Sequence, residues 1–137
     1  MTLENNSSRS AIESARRTIA IERRAIEQLD QRIDDGFSKA VDLLASVDGR
    51  VIVSGMGKSG HIGNKIAATL ASTGTPAQFV HPAEACHGDM GMITRSDAAL
   101  LMSNSGTTSE ITALLPLLKR LGIPIVAMTG SDESTLA

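Results

Sequence analysis

Two polar segments of this chain combine glycines with side chains that suit phosphate binding, and each directly follows an apolar segment. The first, SGMGKSG at 54–60, comes after Val51-Ile52-Val53. The second, SNSGTTSE at 103–110, comes after the apolar segment 98–102. Free backbone N–H groups and hydroxyls can hold a phosphate without a metal or an arginine. Both segments are therefore candidate anion-binding loops.

The first loop matches three phosphate-binding patterns in part. A P-loop would need a glycine at position 52, where Ile52 stands inside the apolar segment, so a nucleoside triphosphate is disfavoured. Gly55, Gly57 and Gly60 form the G-x-G-x-x-G pattern of dinucleotide sites. Such a site also needs an acid at the end of the second strand. That strand ends at Phe79-Val80-His81 and has no acid there, so a dinucleotide is disfavoured. A sugar phosphate is the favoured ligand.

The second loop supports the sugar phosphate because it is rich in hydroxyls. A helix cap uses one hydroxyl, whereas four hydroxyl residues surround Gly106 in this loop: Ser103, Ser105, Thr107 and Thr108. A cap does not need the other hydroxyls, so their presence favours a binding site for one phosphate.

Apolar segments of strand length alternate with helical patterns along the chain. Strands are predicted at 51–53, 77–80, 98–102 and 123–128, and helices at 9–33, 37–46, 62–72 and 111–121. This order predicts an α/β fold, a three-layer α/β/α sandwich with a parallel, flavodoxin-like sheet preceded by N-terminal helices. The polar loops then share the carboxyl edge of the sheet, where ligands bind. Because four strands leave one edge bare, we expect the chain to be truncated before the last strand.

The first helical pattern carries a regular apolar stripe. Isoleucine recurs every seven residues, at Ile12, Ile19, Ile26 and Ile33. Such a stripe either covers the sheet of its own chain or meets a helix of a partner subunit, and the spacing does not decide between the two. We expect residues 1–48 to form a helical segment that packs on a ligand-binding domain at 49–137.

Composition argues against several classes of protein. A net charge of −2, a pI near 5.9 and the absence of Trp and Tyr disfavour a nucleic-acid binder. No apolar run approaches the ~20 residues that span a bilayer, and the N-terminus does not resemble a secretory signal. The single cysteine, Cys86, excludes an internal disulfide and fits a reducing cytoplasm. We therefore expect a cytoplasmic protein with a small ligand and no membrane or nucleic-acid partner.

The motifs SGMGKSG, HPAEACHGDMG and SNSGTTSEI, in this order and spacing, resemble the sugar isomerase (SIS) domain family. Within it they are most similar to the D-arabinose 5-phosphate isomerases of Kdo biosynthesis. The resemblance runs from Val51 to the end of the chain. It implies a SIS phosphosugar-binding domain at 49–137, in a cofactor-independent homo-oligomer, either a dimer or a tetramer. It also implies further functional residues and paired CBS regulatory domains downstream of residue 137.

The activity that the resemblance implies is interconversion of D-ribulose 5-phosphate and D-arabinose 5-phosphate through an enediol. Matched motif by motif, it places the catalytic residues at Lys58, His87 and Glu110. It places the substrate-binding residues at Gly57, Ser59, Ser103, Asn104, Ser105 and Thr108.

The chemistry of the three catalytic candidates agrees with these roles. An isomerase needs a general acid or base of tunable pKa, and Glu110 is our choice because its loop already holds the phosphate. Lys58 supplies positive charge for an enediolate oxygen. His87 orients or protonates a sugar oxygen, in its own site or in that of a neighbouring subunit.

A metal site is the alternative use of the segment between the two loops. The potential ligands are His81, Glu84, Cys86, His87 and Asp89. Their spacing fits no established zinc pattern, so we expect no metal.

A phosphosugar-binding sensor without catalysis is the alternative from a different class of protein. A hydroxyl-rich cradle serves a sensor and an enzyme equally well. A pure binder has no need for Lys58, His87 and Glu110, and this trio favours the isomerase.

Overall fold

The computed structural model describes residues 3–137, and the surroundings of side chains from Ser10 onward. The chain divides into two compact units, Met1–Lys39 and Ala40–Ala137. The helices are α1 (Leu3–Asp30), α2 (Asp35–Ala45), α3 (Gly57–Ser72), α4 (Pro82–Cys86), α5 (Ser109–Thr112) and α6 (Leu115–Leu121). The strands are β1 (Val51–Gly55), β2 (Ala77–Phe79), β3 (Ala98–Ser103) and β4 (Ile125–Thr129).

The four strands form one parallel sheet in the order β2-β1-β3-β4. Val53 of β1 pairs with Phe79 of β2 and with Leu100 of β3, and Leu100 pairs in turn with Val126 of β4. This strand order confirms the predicted flavodoxin-like topology. The order of connection reverses between β1 and β3, so a ligand is expected at the carboxyl ends of these two strands.

Helices cover both faces of the sheet, which explains why its central strands are apolar on both sides. Val51 and Val53 pack on one face with Ala67 of α3. Ile52 packs on the other face, in a cluster with Ile111 of α5 and with Leu118 of α6. The predicted three-layer sandwich is confirmed.

Helix α3 begins at Gly57, five residues before the predicted start at Ile62. The glycines explain the difference, because they allow the helix to lie directly on β1. A Cβ atom on Gly60 would lie 2.6 Å from the backbone oxygen of Gly55, and one on Gly63 would lie 3.2 Å from the ring of Phe79. The glycine pattern therefore serves helix–strand packing, and the residues after Gly57 belong to the first turn of a helix.

Two other predicted boundaries were wrong. The segment after β2, which the sequence presents as a polar loop, contains α4 and a 3-10 helix at Asp89–Met92. The helix predicted at 111–121 is divided into α5 and α6, with Pro116 in the first turn of α6. Proline has no N–H to donate to the preceding turn, which accounts for the interruption.

The buried carboxylate of Asp97 holds the amino ends of the central strands. Its side chain accepts hydrogen bonds from the backbone N–H of Arg50 at 2.7 Å and of Thr94 at 2.7 Å. Asp97 is 1% exposed. Burial raises the pKa of Asp97, but these hydrogen bonds and the charge of Arg50 outweigh it and lower the pKa below its ordinary value.

The first unit consists of α1 and the beginning of α2. The isoleucines of its apolar stripe are exposed, by 65% at Ile19 and 68% at Ile26. On the polar side, Arg23 and Glu27 form an i, i+4 ion pair at 3.5 Å. Both predicted uses of the stripe, covering the sheet of its own chain or meeting a helix of a partner subunit, stay predictions. Across residues 3–137, no helix combines the length and apolar character that crossing a membrane requires.

Candidate functional site

The loops that follow β1, β3 and β4 surround a cavity of about 260 Å³ at the carboxyl edge of the sheet. Ser59 lines it from the first turn of α3, Met102–Asn104 from the end of β3, and Met128–Gly130 from the end of β4. The cavity lies beside the point where the order of strand connection reverses, as expected for a ligand site in an open α/β sheet.

The loop after β3 is closed by hydrogen bonds among its own hydroxyls. The Ser103 and Thr108 hydroxyl oxygens are 2.8 Å apart. The backbone N–H of Gly106 donates to the Ser103 hydroxyl at 3.1 Å, and the Thr107 hydroxyl donates to Ser105 at 3.2 Å. Ser103 is buried, while Asn104 and Ser105 are exposed. The loop thus presents polar groups around a hydrogen-bonded turn. We call residues 103–108 the hydroxyl loop.

The turn of the hydroxyl loop depends on Gly106. Its φ of 66° lies in the left-handed region, where glycine is favoured over other residues. A Cβ atom at this position would overlap the side chain of Ser134 and lie 2.8 Å from the Thr129 hydroxyl. Only glycine fits here.

The loop after β1 brings Lys58 and Ser59 into the first turn of α3. Met56 precedes the helix, and its side chain provides no capping hydrogen bond. The first turn contains no acidic residue. Ser59 lines the cavity, whereas Lys58 is exposed. The N-terminal end of α3 therefore faces the ligand edge with uncapped backbone N–H groups and a lysine, an arrangement favourable to negative charge.

The Glu110 carboxylate is held in its ionised form. The Ser109 hydroxyl donates to Glu110 Oε2 at 2.7 Å, and this bond is the largest cause that lowers the pKa of Glu110. A hydrogen bond from its own backbone N–H lowers this pKa further, burial opposes the decrease, and His81 contributes the smallest lowering effect. At neutral pH the Glu110 side chain is therefore a carboxylate.

His81 caps helix α4. Its Nδ1 atom accepts a hydrogen bond from the backbone N–H of Ala83 at 3.3 Å. Across the residues whose side chains the structure describes, no three His, Cys, Asp or Glu side chains come together as metal ligands. The cluster of metal ligands considered for this segment is not formed.

The structure brings together some of the predicted site residues. Ser59, Ser103 and Asn104 line the cavity. Ser105 and Thr108 belong to the loop that forms one of its walls, and Gly57 lines a second cavity of about 290 Å³ beside His81.

The three catalytic candidates lie on different elements. Lys58 is in α3, His87 follows the last residue of α4, and Glu110 is in α5. Helices α4 and α5 pack together, and His81 at the start of α4 influences the carboxylate of Glu110. None of the three candidates lines the cavity, and Lys58 and His87 are exposed.

Sequence reasoning missed the contribution of β4. Met128, Thr129 and Gly130 line the cavity, although no role was predicted for them. The available signal was their position, because they end a predicted parallel strand and so reach the same edge as the two polar loops.

Comparisons with known proteins identify the family of this chain. A family model described as the SIS domain matches residues 43–137. The arabinose 5-phosphate isomerase KdsD of Pseudomonas aeruginosa is 65% identical over 126 residues, which are 92% of this chain and 39% of that protein. KdsD of Escherichia coli K12 is 53% identical over 125 residues, which are 91% of this chain and 38% of that protein. The chain thus spans about two fifths of the length of these curated relatives.

One solved structure covers most of this chain as well. The Escherichia coli CFT073 protein c3406, in complex with arabinose 5-phosphate, matches 93% of this chain and 68% of its own chain, with a TM-score of 0.89 and 43% sequence identity.

Proposed function

Because this chain belongs to the SIS domain family, we propose that it is the phosphosugar-binding domain of an aldose–ketose isomerase that interconverts D-ribulose 5-phosphate and D-arabinose 5-phosphate. The observation that carries the proposal is the closed hydroxyl loop at the cavity, together with relatives named for this activity. We place the domain at 49–137 and a packed helical segment at 1–48, in a cytoplasmic homo-oligomer.

In this proposal the phosphate of the substrate binds at the hydroxyl loop. Asn104 and Ser105 are exposed and offer an amide and a hydroxyl to its oxygens. Ser103 and Thr108 already share one hydrogen bond, and their hydroxyls can rotate towards a phosphate oxygen. Ser59 and Gly57 approach the ligand from the start of α3.

The reaction moves one proton between neighbouring carbons. A base removes the proton from the carbon next to the carbonyl, and the electron pair shifts to the carbonyl oxygen, which gives an enediolate. The proton then returns to the former carbonyl carbon. The hydroxyl on the first carbon gives up its proton and becomes the new carbonyl, while the former carbonyl oxygen takes up a proton and becomes a hydroxyl. Glu110 is the base in this scheme, because it supplies a carboxylate two residues after the hydroxyl loop.

Lys58 and His87 act on the oxygens of the substrate. The Lys58 ammonium stabilises the negative charge that develops on the enediolate oxygen. His87 orients or protonates a sugar oxygen. It is exposed in the single chain, which is compatible with a role in the site of a neighbouring subunit.

The test is isomerisation of D-ribulose 5-phosphate by the protein encoded by the complete gene. Formation of D-arabinose 5-phosphate is followed in the wild type and in Glu110→Gln. We expect kcat of Glu110→Gln to fall by about 100-fold or more, because its amide cannot accept the proton. The matched control is Glu133→Gln, which changes an exposed carboxylate and should leave kcat unaltered.

Each other result counts against part of the proposal. Tight binding of D-arabinose 5-phosphate by a wild type that produces none of it would overturn the isomerase and leave a phosphosugar sensor. Full activity of Glu110→Gln would overturn the assignment of the base. Absence of binding would overturn the hydroxyl loop as a phosphate site.

A further inference from the structure

The segment that follows β4 packs on the hydroxyl loop and is joined to it by backbone hydrogen bonds. The N–H of Gly130 donates to the carbonyl of Asn104 at 3.0 Å, and the N–H of Leu136 donates to the carbonyl of Gly106 at 3.0 Å. These two bonds link Asn104 and Gly106 of the hydroxyl loop to a segment about thirty residues later in the chain. We call residues 130–137 the clamp segment.

Ser134 is the side chain of the clamp segment that contacts the turn itself. It occupies the space that a side chain at position 106 would need. Its hydroxyl donates to the carbonyl of Ser131 at 2.8 Å and accepts from the backbone N–H of Ala137 at 3.3 Å. Ser134 is thus held from both sides within its own segment while its side chain lies against Gly106.

Leu136 fixes the clamp segment to the core. It is 6% exposed and packs in the same apolar cluster as Ile111 of α5. The hydroxyl loop is followed directly by α5, so one cluster anchors both the loop and the segment that covers it. A displacement of the loop would have to break this packing as well as the two backbone hydrogen bonds.

We propose that Ser134 is a positioning residue for the phosphate of the substrate, acting through Gly106 to keep the hydroxyl loop in its binding conformation. This inference rests on the proposed function, since it assigns the loop to phosphate binding. Ser134 lies behind the turn and is not among the residues that line the cavity. Its removal therefore changes the affinity for the phosphate group and leaves the proton transfer at the other end of the sugar unchanged.

The test compares Ser134→Ala with Ser131→Ala, a matched control in the same segment. Hydrogen bonds at Ser131 use its backbone N–H and carbonyl, which the control substitution retains. In the protein encoded by the complete gene, we expect Ser134→Ala to raise KM for D-arabinose 5-phosphate about tenfold with kcat unchanged. Ser131→Ala should keep both parameters. Equal KM values in Ser134→Ala and the wild type would overturn the inference, as would a loss confined to kcat.

Amide hydrogen exchange provides a second measurement that does not depend on activity. The N–H of Gly106 donates to the carbonyl and to the hydroxyl of Ser103. Without the Ser134 hydroxyl, we expect this amide to exchange several-fold faster, while exchange in β1 stays constant and shows that the variant is folded. Unchanged exchange at Gly106 would overturn the inference. A wild type that does not bind D-arabinose 5-phosphate would overturn the proposed function, and the exchange result would still decide the role of Ser134.

Discussion

The hydroxyl oxygens of Ser103 and Thr108 lie 2.8 Å apart across the turn that follows β3. Ser103 is the last residue of β3 and is buried, while Thr108 directly precedes α5. Their hydrogen bond therefore joins the rigid end of a central strand to the start of a helix. The loop between them is therefore constrained at both ends.

The first prediction concerns Thr108. Substitution by valine keeps the shape of the side chain and removes the hydroxyl, so the closing bond to Ser103 is lost. We expect the affinity for D-arabinose 5-phosphate to fall about tenfold, as measured by calorimetric titration. Thr112→Val is the matched control, because the Thr112 hydroxyl bonds only to the backbone of Ser109. A Thr108 variant that binds as tightly as the control would contradict a role for this hydroxyl.

The second prediction concerns the titration of Glu110. The Ser109 hydroxyl is the largest cause that lowers the pKa of Glu110 below its ordinary value of 4.5. In Ser109→Ala this cause is gone, so the pKa of Glu110 should rise, and the carboxylate should take up its proton at a higher pH than in the wild type. The carboxyl carbon of Glu110, followed by NMR against pH, reports the change directly.

Thr112→Ala provides the control for this titration, because it removes a hydroxyl of α5 that does not contact the carboxylate of Glu110. His81, which also acts on Glu110, is unchanged in both variants. An unchanged or lower pKa in Ser109→Ala would show that the bond between Ser109 and Glu110 is absent in solution.

The third prediction concerns Asp97 and the stability of the sheet. In Asp97→Asn, the amide N–H₂ group must face one of two backbone donors, the N–H of Arg50 or that of Thr94. We expect a loss of about 1–3 kcal/mol in the free energy of unfolding at pH 7, measured by denaturant titration. Asp48→Asn, an exposed carboxylate nearby, should change it by less than about 0.5 kcal/mol.

The pH dependence of this loss follows from the lowered pKa of Asp97. A carboxylate whose folded pKa is depressed contributes stability above its unfolded pKa and loses it as the pH falls through the folded value. The difference between wild type and Asp97→Asn should therefore be constant near neutral pH and shrink below the ordinary value of 3.8. A difference that stays constant in acid would show that the charge of Asp97 has no part in it.

The fourth prediction concerns the contact of α3 with β1. In Gly60→Ala, the added methyl group would lie 2.6 Å from the backbone oxygen of Gly55, which cannot move aside without shifting the strand. We expect a destabilisation of about 1–3 kcal/mol, seen as a lower thermal midpoint. Gly91→Ala adds the same methyl group in open space and should change stability by less than about 0.5 kcal/mol. Equal midpoints for the two variants would contradict the close packing.

The sequence by itself determined the order of the elements and the edge of the sheet that carries the site. Short β-branched segments such as Val51-Ile52-Val53 are local patterns, and their alternation with helical patterns allows only a few topologies. Once the sheet is parallel, the loops with Lys58 and with Ser103 must end at the same edge. Both conclusions depend on residues that are neighbours in the chain.

The tertiary structure decided which residues close the site. The start of α3 at Gly57 depends on the contact between Gly60 and Gly55, and the clamp on Gly106 depends on Ser134 and Leu136. The contact of the clamp segment with Gly106 joins residues that are about thirty positions apart, so no local pattern of apolar or polar residues predicts it. The loop after β4 therefore had no predicted role, although Thr129 and Gly130 line the cavity. A contact between distant residues exists only when the sheet has brought their strands side by side.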